Sequence, residues 1–443
     1  MNATVRGDAV IEMESNKTGL LFENFEENSE DASDLHNRCS IWFRAHIKTR
    51  ATQLKVDSTP RALSNLDDTE LDQLMQLVKS ALAPEENTSV QSILDTNDTL
   101  RSQLVAFQGS QEALMDGGAC RVGDSGYTGP CQIVFILLGW LSKLYEPKVP
   151  PSKTAFEIVL PASSNRVSLF RKYETTSKTS VEVTEMPHRL TFEAMFGSFG
   201  LRLPQACSFT LDGSSSGAYS QTSTVTASNI FYTSLLGVGK LKIDWVPDMT
   251  HHLDLDERSR TLRIFAHPSY CALICLSSPE STEPLNKLLP VVPDNPIPRF
   301  DDYCREVLIT LGVIFGQDKR SRKQALKHTK TIWRQAMEHD ELLLALCTTR
   351  WHHHVLFNHL VAPPARANYS AKVDFPFFEE KLLRLQEYML QQSPNDFRTL
   401  IWDRRDPLRF WTFVLAVTLA GVAILVAIIQ TAIAAVALGL GID

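Results

Sequence analysis

The chain has 443 residues, 44% apolar and 21% charged, which is ordinary globular material for two or three domains. Its formal net charge is −7, and residues 1–38 alone carry nine acidic against three basic groups. The remainder is therefore close to neutral, which argues against a general nucleic-acid binder.

Residues 1–39 are acidic and poor in apolar side chains, apart from Leu20, Leu21, Phe22 and Phe25. This is the composition of a disordered tail, which either carries a short docking motif or only solubilises the chain. It has no basic start followed by an apolar run, so no secretory signal is readable. Residues 40–149 read as helices. Asp67 and Asp68 lead into a stripe of Leu71, Leu74, Leu77, Val78, Ala81 and Leu82, which Pro84 stops. A second helix is predicted over Ser89–Phe107. A third, Ile133–Leu141, is too short to cross a bilayer and reads as a core helix. Between them the glycine-rich run Gly117–Pro130 must be loop.

Residues 150–297 are β-rich. Strands are predicted at Ala155–Leu160, Arg166–Arg171, Ser180–Thr184, Leu241–Val246 and Thr261–Phe265. His251–Leu255 and Thr261–Ala266 flank the polar Asp256–Arg260 as a hairpin, and residues 212–228 form a Ser/Thr/Gly-rich loop. In residues 298–402 the helical period returns. The elements are Tyr303–Phe315, a basic helix from Ser321 to His339, Glu341–Cys347, and a helix with Phe378, Leu382, Leu385 and Met389 along one face. Ser393, Pro394 and Asp396 then supply a cap, a first-turn proline and a first-turn acid for one more short helix.

The last segment gives the strongest signal. From Phe410 to Ile442, 33 residues carry no formal charge, where about 20 suffice to cross a bilayer. A transmembrane helix is predicted over 410–432, apolar to 442, with the excess taken up by tilt or by turns beyond the core. Trp411 suits the headgroup layer. Arg404, Arg405 and Arg409 precede the span and only Asp443 follows, so the bulk of the chain should face the cytosol. The layout is that of a single-pass, tail-anchored membrane protein. A buried core helix is the alternative, but a segment apolar on every face would need a far larger body around it. Ala423, Ala427, Thr431, Ala435 and Gly439 recur every fourth residue. This stripe either lets two anchors pack into a homo-oligomer or is a chance product of an alanine-rich segment.

The eight cysteines (Cys39, Cys120, Cys131, Cys207, Cys271, Cys275, Cys304, Cys347) read as reduced, largely buried thiols. Cys271 and Cys275 lack a second close pair to complete a zinc site. Ser215, within Gly213–Gly217, fits the hydrolase G-x-S-x-G pattern, but no helical stripe follows and a flexible loop is the better reading. Gly123-Asp-Ser125-Gly126 has the form of a serine-protease nucleophile loop in the wrong, helical context. His252, Asp254 and Asp256 alternate on a predicted strand. Their shared face either holds a metal or is the solvated side of an edge hairpin. His352, His353, His354 and His359 cluster in sequence, but consecutive helical residues point about 100° apart. Gly237-Val-Gly239 leads into a strand and is no phosphate cradle. No catalytic, cofactor or metal residue is assigned. Lys319, Arg320, Arg322 and Lys323, continued by Lys327, Lys330 and Arg334, form a basic run that either attracts anionic lipid or is an ordinary solvated face.

In the C-terminal part, Phe315–Arg322, Leu342–Cys347, Ser393–Phe397, Trp402–Pro407 and Phe410–Phe413 together resemble a family of uncharacterised membrane-anchored proteins from filamentous ascomycete fungi. Upstream, Trp245–Asp248, Leu253–Asp256 and Pro268–Cys271 are also similar, so the resemblance touches residues 240–430. It implies a fungal source and the same anchored layout, and no activity. The expectation is an α+β body with an N-terminal helical, a central β-rich and a C-terminal helical region, and one C-terminal transmembrane helix. Its expected role is a scaffold binding an unknown protein partner. The competing class is a membrane-tethered accessory enzyme or accessory protein of a fungal secondary-metabolite pathway, which rests on the fungal resemblance alone. Five glycosylation sequons begin at Asn2, Asn16, Asn87, Asn97 and Asn368. They are modified only if the body is lumenal, so cytosolic placement predicts that none carries a glycan.

Overall fold

The computed structural model describes residues 31–53, 67–82, 89–104, 128–148, 156–160, 166–171, 180–183, 189–203, 205–206, 224–290, 299–328, 340–351, 354–392 and 407–439. The architecture is mixed α+β with a long C-terminal apolar helix. The first helix, α1 (Ala32–Gln53), starts inside the stretch expected to be tail. The reason is its apolar stripe: Leu35, Cys39, Phe43 and Ile47 fall four apart and are all buried. Helix α2 (Asp68–Ser80) begins as predicted. Asp67 accepts from the Glu70 amide, and the Glu70 side chain accepts from the Asp67 amide, a reciprocal capping box.

The single helix predicted over Ser89–Phe107 is broken. Helix α3 (Val90–Thr96) stops at an extended Asn97, whose side-chain oxygen accepts from the Leu100 amide and caps a new helical run over 98–104. Helix α4 (Thr128–Ser142) contains the predicted core run, and Ile133 to Leu141 is buried wherever the chain is apolar.

The five predicted strands are present, but the central region holds as much helix as sheet. Strands β1 (Pro147–Lys148), β2 (Phe156–Val159), β3 (Arg166–Arg171) and β4 (Ser180–Val183) form one sheet in that order, antiparallel except for the parallel β3–β4 pair. Helix α5 (Phe192–Ser198) follows, capped by Thr191. Strand β5 (Thr224–Thr226) pairs with β9 (Asn368–Ser370), and β5 is followed directly by α6 (Ala227–Ile230) and α7 (Tyr232–Gly237).

Strands β6 (Lys242–Val246), β7 (Leu255–Asp256) and β8 (Thr261–Phe265) form a sheet in the order β6-β8-β7. The predicted hairpin shrinks to the pairs Leu255↔Leu262 and Asp256↔Thr261, while β8 runs parallel to β6. The rest of the expected first strand is a turn, in which Leu253 adopts a left-handed φ of 62°. Helices α8 (Pro268–Leu276) and α9 (Pro279–Asn286) each start with proline at a first position, where the missing amide hydrogen costs nothing.

The C-terminal helices are α10 (Phe300–Leu311), α11 (Lys319–Lys327), α12 (Glu341–Thr348), α13 (Val355–His359), α14 (Ala371–Asp374) and α15 (Glu379–Gln391). Helix α10 runs on into a π-helical turn over Gly312–Gly316. The second half of the predicted basic helix, and the short helix expected at Ser393, lie outside the described residues. One continuous apolar core extends from Leu35 on α1 to Met389 on α15. Residues from the predicted helical and β-rich regions alike contribute to this core. The chain ends in α16 (Pro407–Gly439).

Candidate functional site

The residues that the sequence offered as metal ligands do not converge. His252 is fully buried in the turn after β6, not on a strand face. Its Nδ1 accepts from the Phe265 amide at 3.1 Å, so Nε2 carries the proton and donates to Thr310 Oγ1 at 2.8 Å. Burial, then the nearby Lys381 charge, holds its pKa well below the ordinary imidazole value. Asp254 pairs with Lys381 Nζ at 2.8 Å, and the same ammonium donates to the carbonyls of Thr250 and His252. Asp256 accepts from the amides of Arg258 and Ser259 and shapes the β7–β8 turn. The three side chains brace a turn, and neither the metal face nor the solvated hairpin face forms. The turn itself is built on Asp248, whose Oδ1 accepts from the Thr250 hydroxyl, the His251 amide and His251 Nδ1.

His354 is buried and caps α13 through Nδ1, whereas His359 is exposed. His352 and His353, Ser125 and Ser215 lie outside the described residues. Among the described residues no group of three or more His, Cys, Asp or Glu side chains is placed to hold a metal ion. Cys39, Cys131, Cys271, Cys275, Cys304 and Cys347 are free thiols. Burial pushes the pKa of Cys131, Cys275, Cys304 and Cys347 upward, which disfavours the reactive thiolate.

A second polar cluster was not singled out from the sequence. Trp42, His46 and Arg50 of α1 meet Lys143 and Glu146, which follow α4, and His267, which precedes α8. Lys143 is 1% exposed and has a left-handed φ of 51°. Its ammonium contacts His46 Nε2, which must accept because an ammonium only donates. The His46 and His267 rings meet edge to face at 4.8 Å, and Trp42 stacks on His46. Burial, with the Lys143 and Arg50 charges, holds both imidazoles far below their usual pKa. Arg50 and Glu146 form an ion pair at 3.3 Å with most of each side chain covered. The signal was present in the sequence: His46 falls on the apolar stripe of α1, where only a buried histidine fits.

On another face of α1 lies an open groove of about 1320 Å³ between α1, α2, α8 and α9, which none of these six residues lines. Phe43, Ile47, Leu71, Met75, Tyr270 and Leu273 give it apolar walls, and Ile41 adds a 60% exposed side chain. Its charged lining residues are Arg44, Lys48, Lys79 and Asp72, and Arg44 pairs with Asp72 at 3.3 Å, leaving a basic excess. No family model, curated protein or solved structure matches the chain.

The remaining feature is α16. Its segment Val414–Val436 has a mean hydropathy of 2.5 and is long and apolar enough to cross a membrane. None of that segment is buried against the body. The hydroxyls of Thr418 and Thr431 donate to the carbonyls of Val414 and Ala427 one turn earlier. Both polar groups are thereby satisfied inside the helix, as a hydrocarbon environment requires.

Proposed function

We propose that the chain is a single-pass membrane protein whose body faces the cytosol and acts as a partner-binding scaffold. The observation that carries this reading is the 23-residue apolar span Val414–Val436, no part of which packs on the body. A helix this apolar and unpartnered is stable only where lipid covers it. Arg404, Arg405 and Arg409 on its N-terminal side favour a cytosolic body. Deleting Phe410 to Asp443 should release the protein into the carbonate-soluble fraction, and retention in the pellet would refute anchoring by this helix.

The groove between α1 and α2 supplies the binding surface, and its occupant is an acidic amphipathic helix of a partner protein. Apolar walls with a basic excess select an apolar face flanked by Glu or Asp. The test places the photoreactive residue p-benzoylphenylalanine at Ile41, already exposed, in the full chain in its native membrane. Cross-linking to an acidic amphipathic segment of another protein supports the assignment. Cross-linking to the chain's own acidic Leu20–Phe25 segment, to a basic segment, or to nothing overturns it.

A further inference from the structure

The structure brings the basic run and the route to the anchor to the same part of the body. On α11, Lys319, Lys323 and Lys327 are spaced four apart and all are exposed, and Leu326 between them is 54% exposed. At 100° per residue these four side chains share one face of about a quarter turn. Ser321 and Ala325, on the opposite face, are buried. Arg322 is not on the exposed face, because its guanidinium donates to the carbonyls of Gly316 and Gln317 and closes the π-helical turn.

The position of α11 follows from α7, which is six residues and about 9 Å long. At its start, Tyr232 Oη contacts His328 Nδ1 at the end of α11. Just beyond its end, the Gly239 carbonyl accepts from Tyr388 in the last turns of α15. The described body ends at Gln392, next to Leu390, which is 64% exposed. Fourteen residues (393–406) then connect to α16, a reach of at most about 50 Å. The tether therefore holds this part of the body near the bilayer at high effective concentration.

We infer that α11 is a second membrane contact, which lies on an anionic leaflet with Lys319, Lys323 and Lys327 at the headgroups and Leu326 among the upper acyl carbons. Each lysine close to an anionic surface contributes a factor of about five, about 100-fold for three. That bias fixes the orientation of the body relative to the bilayer, which attachment through α16 alone does not. The inference rests on anchoring through α16, and its test separates the two.

The full chain is reconstituted in nanodiscs of phosphatidylcholine alone, or with one-third phosphatidylserine, and the acylation rate of each lysine by a water-soluble ester is followed by mass spectrometry. In the anionic discs Lys319, Lys323 and Lys327 should react about tenfold more slowly than in neutral discs, while Lys48 on α1 is unchanged. High salt should abolish the difference. Equal rates in the two lipids, or slow rates in both, overturn the inference and leave the anchor intact. Failure of the chain to remain in either disc refutes the anchor instead. A Leu326→Asp variant, at a position that is 54% exposed, should lose most of the protection; full protection in it also overturns the inference.

Discussion

Among the buried titratable groups, Asp340 and His252 have opposite pKa shifts and give the stability of the body opposite pH dependences. Asp340 accepts from the Ser269 amide and hydroxyl and from the Leu343 amide, so one carboxylate caps both α8 and α12. Burial outweighs those bonds and raises its pKa to about 6. The fold thus binds its proton more tightly than the unfolded chain does. The associated stability is present below the unfolded pKa near 4 and is lost as pH rises through 6. Comparing wild type with Asp340→Asn by urea unfolding, the advantage of wild type should shrink by about 2 kcal/mol from pH 4.5 to pH 7. A pH-independent difference would show that Asp340 does not titrate in this range. His252 has the reverse sign. Its lowered pKa gives stability that is complete above the unfolded value near 6.5 and is lost as pH falls. His252→Leu leaves the Phe265 amide and Thr310 without their partner and should cost about 2–4 kcal/mol at pH 7.5. That cost should diminish by about 2 kcal/mol at pH 5, where wild type must keep a neutral imidazole. Parallel curves for the two proteins would exclude a buried neutral His252.

Among the elements, the π-helical turn at the end of α10 shows how packing overrides local pattern. A Cβ added at Gly312 would lie 2.6 Å from Trp351 Cε3 and 2.9 Å from Phe357 Cζ. Those two rings stack at 5.0 Å. Gly312→Ala gains about 1 kcal/mol of helix propensity but overpacks a closed contact at about 1–3 kcal/mol. A net loss of about 1 kcal/mol, seen as a lower melting temperature, is expected; a raised one would mean that Trp351 has room to move. The sequence predicted α10 there but not the π turn, because its partner ring lies some forty residues downstream. Elements with complete local signals were legible, including the Asp67 capping box, the core run of α4, the face of α15 and the apolar helix α16. Those set by distant partners were not. Asn97 breaks a continuous helical pattern with one side-chain bond, and the Asp248 turn converts a predicted strand into a brace around His252. The basic run was readable, but its usable face was not. Only the fold shows Arg322 turned inward and Leu326 turned out.

At the scale of the whole molecule, the proposed anchoring through α16 allows two orientations of the body, and the sequons give a direct measurement that separates them. Asn97 spends its side-chain oxygen on the Leu100 amide. Asn368 opens β9, where it pairs with Thr226, and its middle residue Tyr369 is 1% exposed. The Asn97 side chain is thus engaged in a cap, whereas Asn368 is exposed at the start of β9, and the absence of a glycan there rests on topology. Asn2, Asn16 and Asn87 lie outside the described residues, so for them the argument rests on topology. The three arginines before the apolar span Val414–Val436 oppose translocation of the segment that precedes it. The six described cysteines are free, and a lumenal body would carry them into an oxidising compartment. Treatment of the native protein with an N-glycosidase should therefore leave its gel mobility unchanged. A downward shift would place the body in the lumen, reverse the orientation of α16, and remove the anionic cytoplasmic leaflet from the reach of α11.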